Sequence, residues 1–167
     1  MLTSTFRDRD SAERAYSSLS SRGYSKDDVN LLMSDETRKR HFGDHTADTD
    51  LGDKAMEGAG VGSAIGGTAG AVIGAIAAIG TSIALPGLGL VIAGPVAAAL
   101  AGAGAGGLTG GLVGALVGSG IPEDRAAEYE SDIKNGGIVM GVKPRSEEDA
   151  KYFESEFRRH NGDRIYS

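Results

Sequence analysis

Two glycine-rich stretches decide how this chain folds: residues 58–74 read GAGVGSAIGGTAGAVIG, and residues 102–118 read GAGAGGLTGGLVGALVG. Both belong to a run of 64 residues, from Gly58 to Ile121, that contains no Asp, Glu, Lys, Arg or His and holds 20 of the 27 glycines. In each stretch a glycine recurs at every fourth position. The first row consists of Gly58, Gly62, Gly66, Gly70 and Gly74, and the second of Gly102, Gly106, Gly110, Gly114 and Gly118.

The two glycine rows are mirror images about Leu88. Residues 85–90, with one proline and two glycines, are typical of a turn, and Gly94-Pro95 opens the second arm. Glycine lets two helices approach until their backbones touch, which gains dispersion and Cα–H···O contacts. It also disfavours helix by about 1 kcal/mol relative to alanine, so close packing is the compensation. The pattern therefore predicts an antiparallel glycine-zipper helical hairpin over residues 58–121, with the ten glycines as helix-packing and oligomerisation residues.

A flexible low-complexity tract is the alternative interpretation of so much glycine. Such tracts carry serine and few large aliphatic side chains. Here the gaps between glycines are filled by isoleucine, leucine and valine, as in Ile73, Ile76, Leu112 and Leu116. We therefore favour the packed hairpin over the flexible tract.

The flanks of this segment carry all the charge. Residues 1–57 hold 9 basic and 12 acidic side chains, and residues 122–167 hold 8 and 11, so each flank has a net charge of -3. The N-terminal flank has the pattern of a β-α-β unit plus a linker, and the C-terminal flank that of α-β-α-β. Four short strands with helices on one face predict an α+β fold, a ferredoxin-like sandwich whose halves are split by the inserted hairpin.

Capping signals define the predicted helices. Asp10 with Glu13 has the spacing of a capping box, and Ser34 and Ser146 each stand before a helical pattern. Pro122 is suited to the first turn of the next helix, where its missing N–H costs nothing.

The composition excludes several classes of function. With a net charge of -6, a nucleic-acid partner is not expected. The absence of cysteine excludes disulfides and thiolate sites and suits a cytoplasmic location. The N-terminus has no signal-peptide pattern.

Candidate chemistry is sparse, and we predict no catalytic residue, no metal and no cofactor. His41 and His45 could share a helical face, but Gly43 interrupts that helix, and a solvated loop is the better interpretation. Residues 102–107 superficially match a dinucleotide loop but do not follow a strand.

The apolar arms must be buried somewhere, because neither has a polar face. Each is about 25 residues long, about 40 Å as a helix, which could cross a bilayer. Against insertion, no aromatic belt marks either interface, and no charged residue lies at the turn. In the alternative, hairpins from several copies bury one another. We favour a homo-oligomer with some affinity for membrane lipid.

Parts of the sequence resemble a known family. The opening Phe6-x-Asp8-x-x-x-Ala12-Glu13-x-Ala15, with Leu19, Gly23-Tyr24 and Asp27-Asp28-Val29, resembles the start of the bacterial heat-induced or general stress protein family (YflT-like). Residues 85–95, Gly120-Ile121-Pro122-Glu123, Tyr129-Glu130 and Gly136-Gly137-Ile138-Val139 resemble its glycine-zipper members. The resemblance implies a role in stress and supplies no catalytic residues.

The functional expectation is therefore a non-enzymatic stress-response protein that self-assembles through its hairpin. A membrane-inserting or membrane-associated stress protein is the alternative. The third and least supported hypothesis is a small-ligand-binding ferredoxin-like domain, or an enzyme that uses that sheet. It is the least supported because no polar constellation is expected to converge on the sheet.

Overall fold

The computed structural model describes residues 1–42, 83–85, 89–97, 111–118 and 121–167. These form an α+β fold with six strands and five helices. In chain order the elements are β1 (Leu2–Phe6), α1 (Arg9–Ser21), β2 (Val29–Ser34), α2 (Asp35–Phe42), β3 (Ile83–Leu85), β4 (Leu90–Ala93), α3 (Gly111–Gly118), α4 (Glu123–Lys134), β5 (Ile138–Val142), α5 (Glu147–Arg159) and β6 (Asp163–Tyr166).

One antiparallel sheet joins the two charged flanks. Its strand order is β3-β4-β2-β5-β1-β6. The central strand β5 pairs with β1, Leu2 facing Val142, and on its other side with β2, Val29 facing the same residue. Because β5 comes from the C-terminal flank and both of its neighbours come from the N-terminal flank, neither flank can form the sheet alone.

Helices cover both faces of the sheet, which corrects the prediction of helices on one face. Alternate strand residues point to opposite faces. On the first face α1 and α5 bury Leu19, Phe153 and Phe157 against Leu31 and its neighbours. On the second face α3 and α4 cover a separate cluster, whose members include Leu32, Ile92, Leu116, Ala126, Tyr129, Ile133 and Val139. One-sided coverage fails because strands β1, β2 and β5 are buried along almost their whole length.

The flanks follow the predicted order β-α-β and α-β-α-β. The caps at Ser34 and Ser146 are confirmed, since their hydroxyls accept from Thr37 N and Asp149 N at 3.0 Å. The cap predicted at Asp10 is wrong. Asp8 caps α1 by accepting from Ser11 N at 2.7 Å, and Asp10 lies in the first turn.

The middle segment departs from the prediction at residues 83–93. These residues were expected to end one helical arm and turn into the next. Instead β3 and β4 form an antiparallel pair, with Leu85 opposite Leu90, and β4 pairs with β2. Residues 83–85 and 90–93 are strands because Ile92 and its neighbours gain burial on both sides by extending the sheet. The predicted turn at residues 86–88 lies outside the described residues.

Candidate functional site

Helix α3 is the described part of the second glycine row. Its Leu116 is fully buried in the same cluster as Ala126, Tyr129 and Ile133 of α4, and Ile121 N donates to Leu116 O at 3.1 Å. Val117 is 42% exposed, and Val113 and Gly114 are half-buried. The helix thus has a docked side and an outer side, and its sequence GLVGALVG carries no charged or hydroxyl side chain.

Of the ten predicted packing glycines, Gly114 and Gly118 lie on α3. The other eight, at positions 58, 62, 66, 70, 74, 102, 106 and 110, lie outside the described residues, as does the pairing of the two rows. The two described glycines are four residues apart on a helix, as the prediction requires, and so lie close to one face of it.

The start of the second arm is fixed to the sheet. Residues 95–97 are helical, as Gly94-Pro95 predicts. Asn30, on β2, accepts a hydrogen bond from Val96 N at 2.8 Å. Val96 and Ala97 are buried in the same cluster as Leu116, so the start and the end of the arm both belong to the second face of the sheet.

A polar cluster that the sequence analysis did not predict joins α4 to β1 and β6. Arg164 lies between Glu128 and Asp132 at 3.3 and 3.4 Å. The Tyr166 hydroxyl donates to Glu128 at 2.7 Å, and Thr5 donates to Asp132 at 2.9 Å. The expectation that no polar constellation converges on this sheet is therefore wrong.

The charged side chains of this polar cluster neutralise one another. Each carboxylate faces a cation and accepts from a hydroxyl, so neither is poised as a free base. Nearby, Tyr129 donates to Thr3 at 2.5 Å, and burial raises the pKa of Tyr129 to about 12, so it stays protonated at neutral pH. The arrangement ties β6 to the domain. Arg164, with φ of +50°, takes a left-handed conformation that lets its side chain reach both acids.

A second polar cluster bridges the two flanks, and we call it the clamp. The Tyr24 hydroxyl donates to Asp149 at 2.8 Å and accepts from Arg145 N at 2.6 Å. Arg22 binds Asp149 at 2.7 Å, and Arg145 binds Asp28 at 3.0 Å. The hydrogen bond from Arg22 holds the pKa of Asp149 below its ordinary value. The clamp therefore consists of N-terminal residues closed on C-terminal ones.

The described residues hold neither a metal-binding cluster nor a membrane-spanning helix. No group of three His, Cys, Asp or Glu residues there could hold a metal ion. His41 lies near the end of α2, where its carbonyl accepts from Arg9 at 2.8 Å, and His45 falls beyond the part described. Within that part, no helix combines the length and the apolar character needed to cross a bilayer.

Comparison with models of protein families, with curated proteins and with solved structures finds no match to this chain.

Asn30 and the polar cluster were missed by sequence reasoning. The cluster leaves a local signal, since Glu128 and Asp132 stand four apart on a helix and Arg164 and Tyr166 alternate along a strand. Asn30 leaves only the sign of a polar residue inside the apolar run Val29–Met33. Neither signal identifies the partner, because the partners are 30 to 130 residues away in the chain.

Proposed function

We propose that this protein is a non-enzymatic stress-response protein that assembles into homo-oligomers through its glycine-rich segment. The observation that carries the proposal is the outer side of α3. Leu116 docks the helix on the domain, while Val117 remains 42% exposed beside the half-buried Gly114. An uncharged helix that exposes a valine beside a glycine suits close contact with another helix.

The described fold supports a ferredoxin-like core within this proposal. Strands β6, β1, β5 and β2 lie side by side, and α1 and α5 connect β1 to β2 and β5 to β6. This order is the one expected of a split β-α-β arrangement, which supports the ferredoxin-like core that we propose. Strands β3 and β4 extend the sheet beyond β2, and α3 and α4 add a layer on its second face.

The non-enzymatic part of the proposal is supported by the two polar clusters. Their acids are engaged by arginines and hydroxyl groups, and both clusters join elements that are distant in sequence. Such contacts stabilise the domain. The stress-response part, and a cytoplasmic location, rest on the sequence resemblance and composition.

Sizing of the full chain tests the proposal. Light scattering over a range of protein concentrations should give a species larger than the 17.0 kDa monomer. Val117→Glu places a charge on the outer side of α3 and should shift the distribution toward monomer, because burying an unpaired carboxylate costs several kcal/mol. Ser155→Glu, at an exposed position of α5, adds the same charge far from α3 and should leave the size unchanged.

A monomer at every concentration would overturn self-association. If Val117→Glu leaves the oligomer intact, the interface between copies does not include the outer side of α3. Flotation with liposomes separates the alternative function, since a membrane-associated protein should rise with the vesicles and lose that property in the Val117→Glu variant.

A further inference from the structure

The second glycine-rich arm is joined to the sheet by one buried polar side chain. Asn30 is 5% exposed and is the second residue of β2. Its side-chain oxygen accepts from Val96 N at 2.8 Å, across 66 residues of sequence. The first N–H groups of a helix have no partner within the helix, so a side-chain acceptor at that point stabilises its start. Here the acceptor comes from the sheet, which makes the bond a connection between two elements.

The residues before Val96 have a conformation that fits this bond. Gly94 has φ of +98°, and a Cβ atom there would overlap the carbonyl oxygen of Val29. Pro95 then provides a fixed φ at a position where no N–H is needed. After β4 the chain therefore turns tightly against β2, and the helix that follows begins beside the Asn30 side chain.

The side-chain NH2 group of Asn30 has only a weak hydrogen-bond partner. Its nitrogen faces the sulfur of Met1 at 3.8 Å, and a thioether is a poor acceptor. The hydrogen bond from Val96 N is therefore the main interaction that offsets the cost of burying the Asn30 amide. Losing that bond leaves a buried amide and a buried N–H without strong partners, so release of the arm to water satisfies both.

We propose that Asn30 is a latch: its bond to Val96 N holds residues 94–97 on the sheet, and breaking it releases the start of the second arm without unfolding the domain. Release exposes Val96 and Ala97 together with the part of the second cluster they cover, including Ile92. The effect of this exposure on assembly rests on the proposed function. The latch itself does not.

Amide hydrogen exchange on the full chain tests the latch. Ala97 N is the reporter, because it donates to Gly94 O and not to Asn30, so its exchange reports release of the arm. Met140, in the central strand β5, reports global unfolding. In the unmodified protein, release predicts that Ala97 exchanges at least about a hundredfold faster than Met140. Equal rates would overturn the proposal, because the arm would then leave only when the whole domain unfolds.

Asn30→Ala removes the acceptor and should speed exchange at Ala97 by about tenfold or more while Met140 changes much less. Asn135→Ala is the matched control. It also removes an amide hydrogen bond, from Asn135 to Ser131 O at 2.8 Å, but at the end of α4. Acceleration at Ala97 by both variants, or by neither, would contradict the latch.

The size of Asn30→Ala separates the two proposals. Fast Ala97 exchange in a variant that forms oligomers like the unmodified chain supports the latch and the self-association. Fast Ala97 exchange in a chain that is monomeric at every concentration supports the latch and overturns the self-association.

Discussion

At the scale of single residues, the two acids before and within α1 show what a sequence pattern leaves open. Asp8 and Asp10 are both good capping residues, and Glu13 stands three positions after the second. The pattern favoured Asp10. The helix begins at Arg9 because the Asp8 carboxylate reaches both Ser11 N, at 2.7 Å, and Ser11 Oγ, at 2.9 Å. Glu13 instead pairs with Arg9.

Substitution of Asp8 by alanine should therefore lower the free energy of unfolding by about 1 kcal/mol, the usual effect of losing an N-cap. Asp10→Ala is the control, because that side chain is exposed in the first turn and should cost less. Urea denaturation of both variants decides between the two caps. A larger loss for Asp10→Ala would restore the capping box.

The contribution of the clamp to the stability of the fold depends on pH. A bond from Arg22 lowers the pKa of Asp149, and the Ser25 N–H lowers that of Asp28, both below the ordinary value of 3.8. Such groups stabilise the fold above the unfolded pKa, and this contribution is lost as pH falls through the lower folded pKa. Urea midpoints should therefore drop steeply below about pH 4. Asp149→Asn should be less stable at neutral pH and flatten that drop, whereas Glu154→Gln, outside the clamp, should keep it.

At the scale of elements, α3 shows that one short helix can belong to both the core and the surface. Leu116 and Val117 are neighbours in sequence, yet the first is fully buried in the second cluster and the second is exposed. The docked side fixes the glycine-rich segment to the domain, and the outer side remains available.

Leu116→Ala should lower the free energy of unfolding by about 2 to 5 kcal/mol, since it removes a buried side chain and leaves a cavity. Val117→Ala on the same helix should change it by less than about 0.5 kcal/mol. Thermal or urea unfolding of the pair measures the difference. Equal effects would mean that α3 does not dock through Leu116.

Strands β3 and β4 could not be predicted, for a reason that lies in their surroundings. Residues Ile83–Leu85 and Leu90–Ala93 are short apolar runs, and such runs fit a buried strand as well as a helix. Leu90–Ala93 is buried throughout, so it lacks the alternation that marks a half-exposed strand. Only pairing with β2 decides the conformation, and that contact spans about 60 residues of sequence.

At the scale of the whole molecule, the order of elements in the flanks followed from local patterns of capping and periodicity. The coverage of the second face by helices could not be predicted from such local patterns. Tyr129 and Ile133 form a visible apolar stripe on α4, but its partners on β2, β4 and β5 belong to other parts of the chain. The polar cluster was missed for the same reason, because each of its members is ordinary until the fold brings them together.

Deletion of residues 58–121 should therefore destabilise the domain rather than merely remove an insertion. It takes away Leu90, Ile92, Val96 and Leu116, each buried in the second cluster. At about 1.5 to 3 kcal/mol for each large side chain, the loss matches the whole stability of a typical domain. Circular dichroism and amide NMR dispersion of the deletion variant would measure this. A well-dispersed, cooperatively unfolding variant would show that the flanks suffice.

The central place of β5 also has a consequence for the cell that makes the protein. The sheet cannot close until residues 138–142 have left the ribosome, because β1 and β2 meet only through them. At about 5 to 20 residues per second, synthesis from the end of α2 to β5 takes about 5 to 20 s. In that interval the 64-residue uncharged segment emerges before residues 123–142, which supply part of the cluster in which its described residues are buried. We therefore expect the nascent chain to expose apolar surface during translation and to be prone to aggregation in that interval.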